Sequence, residues 1–575
     1  MKEAVIPILQ KAIVESAKDN EVEIDLSKIN FESIIEIPPT PEMGDFAFPC
    51  FILAPYFKLA PHEIALQIRE KIEDKSNQFE EIQTAGPYIN FFVNRSALAL
   101  EVVNQIKKKK HNFGKSELGK SKKTMVEWPA PNTNKPLHLG HLRNLSIGES
   151  ISRILEFNSE KAVRANLNND RGVHICKSML AYQKWGKSEK PTNKLKSDHL
   201  IGKYYVMFNQ KVKKSEELDR EVHGMLRKWE AGDKKTLALW KKMNKWALSG
   251  FDETYKKFGI AFDKVYNESE IYTKGRDIIL EGAKKGIFKA STKDKSVTIS
   301  LAKEKLGKKF LLRPDGTSVY MTQDIYLAIT KIRQFKLDRS FYVVGNEQEY
   351  HFKVLFHILE KLGYSKDQFK HLSYGMVELP EGKMKSREGT VVDADEMIDK
   401  VQKLVRKELK KREPKAKAAD LDKRSLIIAL AAIKFILLKI DIKKNMTFDP
   451  KASIAFEGDT GPYLLYSYAR ANSILKKADV KKSKLEIKEL QPLEIELVKK
   501  LNTFQKVVEQ AYNNLNPSVV ANYSLELAHI FNEFYHACPV IGNEQERFRL
   551  ELVESFKIVL GNALTLLGIE TLERM

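Results

Sequence analysis

The chain has 575 residues, and its 97 Lys+Arg outnumber 76 Asp+Glu to give a formal net charge of +21. It is long enough for several domains, each with its own core, and its basic excess favours a polyanionic partner, nucleic acid above all. Three scattered cysteines (Cys50, Cys176, Cys538) with no Cys-x-x-Cys argue against a disulfide framework or a zinc site and fit a reducing compartment. The longest apolar stretch, 426–438, is interrupted by Lys434 and is too short to span a bilayer, so a buried helix is expected there. No secretory leader is visible near the N-terminus.

In chain order, residues 1–110 read as a self-contained α+β unit. A helix-period opening leads through Pro38-Pro39-Thr40-Pro41 to a strand-like run at 88–93. Residues 111–123 form a polar linker that contains Gly114-Lys115-Ser116-Glu117-Leu118-Gly119-Lys120-Ser121, a letter-for-letter phosphate-loop pattern. A working phosphate loop leaves a buried strand and enters a helix. Here a lysine run precedes the pattern and a strand-like run follows it, so the expectation is a solvated linker.

From 124 to 400, strands and helices alternate, which predicts a Rossmann-like parallel α/β sheet. Strand-like runs fall at 161–167, 297–301 and 340–344, and a charged helical insertion with Trp185, Trp229, Trp240 and Trp246 occupies about 175–264. Residues 401–575 carry helical spacing throughout, including 493–514 as one run.

Chemistry concentrates where a strand ending in Met125-Val126-Glu127-Trp128 passes through a proline- and asparagine-rich loop into a helix opening on His138-Leu139-Gly140-His141. A helix N-terminus presents free N–H groups and a positive dipole end to phosphate. His138 and His141, three apart, share a face, and Gly140 leaves room for a flat adenine. Far downstream, Lys383-Met384-Lys385-Ser386-Arg387 sits between Gly382 and Gly389, as a cationic loop over pyrophosphate would. Taken singly, the histidines also suit helix capping and the lysine segment suits plain surface; the pair, with a parallel sheet between them, points to ATP.

The two motifs resemble the HIGH and KMSKS signatures of class I aminoacyl-tRNA synthetases, and their flanks resemble the arginyl-tRNA synthetases. The carrying segments are Glu127 to Arg143, Leu312-Arg313-Pro314-Asp315-Gly316-Thr317 with Tyr320, Thr322 and Asp324, and Val343-Val344-Gly345 with Gln348, His351 and Phe352. The resemblance implies that Lys135, His138, His141 and Lys383 are catalytic, and that His138, Gly140, His141, Lys383, Met384 and Ser386 hold ATP. It implies an L-arginine site built from Glu127, Asn132, Tyr320, Asp324 and Gln348, with Asp170, Gly172 and His174 lining the cleft. The usual second loop lysine is replaced by Ser386; Lys135 matches the position thought to substitute for it.

ATP with Mg²⁺ is then the expected co-substrate, with no tightly bound cofactor and no protein-held metal. The expected partner is tRNA(Arg), not DNA or a membrane, for a cytoplasmic monomer whose first reaction step also needs tRNA. Residues 1–110 would grip the tRNA elbow, and the helical bundle at 401–575 would bind the anticodon.

Overall fold

A computed structural model describes residues 2–75, 77–212, 216–380, 392–478, 487 and 489–575. It divides into two compact units. The first comprises Met1–Lys110, Lys477–Asn502 and Ile530–Phe556, and the second comprises His111–Lys476, Thr503–His529 and Lys557–Met575.

In the first unit, helix Lys2–Asp19 precedes a three-stranded antiparallel sheet in which Tyr88–Val93 runs centrally, pairing Phe46–Pro49 on one side and Phe79–Ala85 on the other. Helix Arg95–Lys109 carries Lys107, whose Nζ lies 2.7 Å from Glu551 Oε1.

The second unit is built on five parallel strands: β1 (Lys123–Glu127), β2 (Lys161–Asn168), β3 (Lys264–Asn267), β4 (Arg339–Gly345) and β5 (Phe369–Tyr374), in spatial order β5-β4-β1-β2-β3. This is the doubly wound order, and its connections reverse direction between β1 and β4, where such sheets bind ligands at the carboxyl ends of their strands. The signature helix Leu139–Phe157 returns from β1 with Leu142, Leu145, Ile147, Ile151, Ile154 and Leu155 all fully buried, each such side chain contributing about 1.5–3 kcal/mol. Gly148 lies where this helix meets Trp128: a Cβ there would stand 2.3 Å from the buried indole.

Three expectations are corrected. The strand Val297–Leu301 lies outside the parallel sheet, in a separate antiparallel sheet with Lys289–Ala290 and Gly307–Leu312, because its short connections permit only hairpin pairing. The segment 111–123 is only partly solvated. Phe113, Gly114, Ser116 and Gly119 are buried, Ser116 Oγ donates to Asn158 Oδ1 at 2.6 Å, and a helix precedes it and a strand follows, so it cannot act as a phosphate loop. The helical run 493–514 is two helices, Pro492–Asn502 and Phe504–Asn514, because Phe504 turns into a core against Phe113 and Tyr523.

The apolar stretch with Lys434 is the buried helix Ala418–Lys439. Among the described residues, no helix is long and apolar enough to cross a membrane.

Candidate active site at the carboxyl end of the parallel sheet

Strand β1 ends at Glu127, and the following loop is pinned to the end of β2: Thr133 N–H donates to Asn169 O at 3.1 Å and Asn169 N–H to Pro131 O at 2.9 Å. This places half-buried Asn132 and Lys135 in front of the signature helix, whose cap is His138. The His138 backbone N–H donates to His141 Nδ1 at 3.0 Å. Nδ1 is therefore an acceptor, which leaves the His141 proton on Nε2. The two rings stand 3.9 Å apart, and a Cβ on Gly140 would meet the His138 ring at 3.1 Å.

Burial, and secondarily the charge of Lys135, pushes His138 down to about 3. Burial, then His138 and Lys135, holds His141 well below its usual range. Both imidazoles are thus neutral at pH 7 and offer N–H donors rather than charge. Lys135 is itself lowered by burial, and no carboxylate lies within ion-pair distance of it among the described residues. His174, pushed down to about 4 by burial and then by Lys135, Lys177 and Arg171, faces the same cation. Its helix, Val173–Trp185, starts from Gly172 at φ +109°, a conformation that favours glycine. Asp170 turns to the structure instead: its carboxylate accepts from the Ser269 N–H and hydroxyl and from Asn244.

Across the switch point, helix Tyr320–Phe335 carries Tyr320, 63% exposed, and Asp324 one turn later. Asp324 Oδ2 lies 2.7 Å from His351 Nε2, on helix Glu349–Lys361, which is capped by exposed Gln348 at the end of β4. Glu127 is buried against Lys331 from the helix that bears Asp324. Fully buried Tyr342 lies near both carboxylates: after burial, Glu127 and then Asp324 raise its hydroxyl.

Lys383, Met384 and Ser386, with Lys385, lie outside the described residues. Both described flanks of that segment reach the signature helix. Buried Arg143 donates to Gly375 O at 2.6 Å and to Met376, Asp441 and Ile442 carbonyls at 3.3–3.4 Å. On the other side, Leu139 N–H donates to Val392 O at 3.1 Å and Ala394 N–H to Leu137 O at 3.0 Å.

Asp393 and Asp395 are held in turn by the insertion: His199 Nε2 lies 3.2 Å from Asp393 Oδ2, and Lys196 Nζ lies 2.6 Å from Asp395 Oδ2. Burial opposes the His199 charge, but bonds to Asp393 and Asp395 outweigh it and hold the group at about 10. Asp198, His199 and Asp395 lie close enough together to hold a metal ion, yet Lys196, 3.4 Å from Asp198, already supplies the cation.

Sequence reasoning missed Lys331, Lys196 and His199, and gave no role to His351. Lys331 had a signal: it lies seven residues after Asp324, on the same helix face, amid apolar neighbours.

The parallel sheet, with the signature helix starting at its switch point, is the catalytic-domain fold of a class I aminoacyl-tRNA synthetase. Residues 102–450 match the family described as tRNA synthetases class I (R), catalytic domain. Residues 464–575 match the DALR anticodon binding domain, and 3–93 the arginyl tRNA synthetase N terminal domain. The arginine–tRNA ligase of Treponema denticola is 46% identical over 94% of this chain and 94% of its own. That of Borrelia hermsii is 40% identical over 100% and 99%. The solved arginyl-tRNA synthetase of Thermus thermophilus superposes with a TM-score of 0.78 at 25% identity, covering 99% of each chain. The chain belongs to the arginine–tRNA ligase family.

Proposed function

We propose that this chain joins L-arginine to tRNA(Arg) in two steps at the carboxyl end of the sheet. The arginine carboxylate attacks the α-phosphate of ATP, forming arginyl-adenylate and releasing pyrophosphate. A terminal ribose hydroxyl of tRNA then takes the arginyl group and AMP departs. No protein nucleophile is required, so alignment and charge stabilisation are the whole of the protein's part. The observation that carries this reading is the signature helix opening on two neutral imidazoles beside Lys135 at the switch point of the parallel sheet.

His138 and His141 would donate neutral N–H bonds to phosphate oxygens while Lys135, with Lys383, supplies positive charge. Asp324 and Tyr320 would receive the guanidinium, and Asn132 and Gln348 the α-amino end. Mg²⁺ would arrive with ATP and be held by its phosphates. The helical C-terminal region would bind the anticodon and the N-terminal unit the tRNA elbow, in a cytoplasmic monomer.

The test is to charge total tRNA with each labelled amino acid in turn. Arginine alone should be incorporated, with lysine strongly rejected because an ammonium cannot make planar bidentate pairs. Asp324→Asn should lose about 2 kcal/mol or more of transition-state stabilisation, as for a charged hydrogen bond. Comparable charging of lysine would refute the pocket assignment.

A further inference from the structure

Both acids of the pocket already face a protein cation, and the two cations differ in kind. Lys331 and Glu127 are 1% and 7% exposed, and the Lys331 ammonium also sits 5.0 Å from the Tyr342 ring centre and 5.6 Å from that of Tyr266. That charge is built in, and a second cation brought to Glu127 would meet it. His351 and Asp324 are 32% and 30% exposed, open to solvent and substrate, and an imidazole can release its proton near neutral pH.

We propose that protonated His351 is a placeholder for the substrate guanidinium on Asp324, and that it releases its proton to solvent as arginine binds. This makes His351 a specificity-determining residue, and makes Asp324, rather than the neutralised Glu127, the charge that selects the substrate. The inference rests on the arginine-pocket reading above. The exchange balances: one guanidinium cation enters, one proton leaves the imidazole for water, and the carboxylate keeps a single cationic partner.

In the free enzyme the Asp324 hydrogen bond, and then its charge, raises His351 above its usual 6.5 against the effect of burial. Among the described residues, Asp324 is the ionisable group that acts on His351 through its charge. Tyr342 and Glu268 both feel the charge of Asp324, and Glu268 is pushed up to about 7 by burial, with Arg171 opposing and Asp170 and Asp324 also raising it. Glu268 is therefore the second group whose titration has to be separated. A guanidinium on Asp324 withdraws the support for the His351 charge, so arginine and proton compete. Affinity for arginine rises with pH across the raised His351 range, by up to about tenfold per pH unit for one exchanged proton.

The experiment is calorimetry of arginine binding to the full chain at pH 7 in two buffers of different ionisation enthalpy. Wild type and Glu268→Gln are expected to release protons on binding. His351→Gln, whose amide still donates to Asp324 but cannot titrate, is expected to release none. Absence of release from wild type, or equal release from His351→Gln, overturns the placeholder. If His351→Gln does not fold, KM for arginine in Glu268→Gln decides: a several-fold fall from pH 6 to pH 8 supports the inference and a flat profile overturns it. Asp324→Asn separates the two readings. Unchanged arginine affinity in that variant would sink the pocket itself, whereas lost affinity without proton release from wild type would sink only the placeholder.

Discussion

Lys135 and the histidines behind it show how burial divides labour among cations. Desolvation strips charge first from the group that can most easily lose it, so the imidazoles become neutral donors while the lysine beside them remains the cation. If Lys135 takes over from the missing second loop lysine, its charge counts mainly in the transition state. Lys135→Ala is then expected to lower kcat far more than it raises KM for arginine, with Lys385→Ala milder. Steady-state kinetics of the two variants check this, and the reverse ranking would return the role to the loop. The neutral histidines also predict activity that does not fall as pH rises from 6 to 8 through loss of histidine charge, since neither imidazole carries charge to lose.

Among elements, helix Ala418–Lys439 carries a conflict. Lys434 is buried, its Nζ donates to Gly568 O at 2.6 Å, and burial, with a contribution from Arg153, lowers it from 10.5 to about 8. The unfolded chain therefore binds more protons than the folded one between pH 8 and 10.5, and this lysine's contribution to stability becomes more favourable as pH rises across that window. A lowering from 10.5 to about 8 corresponds to a penalty of roughly 3 kcal/mol at neutral pH, of which a lost hydrogen bond would return about 1. Lys434→Met is expected to raise Tm at pH 7, with the gain shrinking toward pH 10; a Tm drop at pH 7 would refute it. In the signature helix, Gly148→Ala should destabilise by about 1–3 kcal/mol by overpacking against Trp128, read by denaturant unfolding.

For the whole molecule, a net charge of +21 makes tRNA more than a second substrate. The residues proposed to hold ATP are divided between the signature helix and the distant lysine loop, and a polyanion docked on a basic chain can supply the differential binding that selects the competent state. Arginine-dependent exchange of pyrophosphate into ATP is therefore expected to stay near background in RNA-free enzyme, to appear with cognate tRNA, and to fall steeply with added salt. Full exchange without RNA would refute tRNA dependence and leave the arginine assignment standing.

Local chemistry was legible from the chain itself. A strand followed by an asparagine–proline loop and a histidine-capped helix is written in adjacent residues, as are the helical periodicity of the last third and the parallel alternation of the middle. Asp324 and Tyr320 could be singled out because the segment from Leu312 to Asp324 resembles the arginine-pocket segment of the arginyl-tRNA synthetases. What only the tertiary structure decided are the encounters between distant segments. Lys331 meets Glu127 across 204 positions, His199 meets Asp393 from inside the insertion, and Arg143 spends its buried guanidinium on carbonyls 232 to 299 positions away. A residue's type and local spacing set which bonds it can make. Its burial, protonation and partner depend on which faces the folded sheet brings together, and no single-segment pattern encodes that.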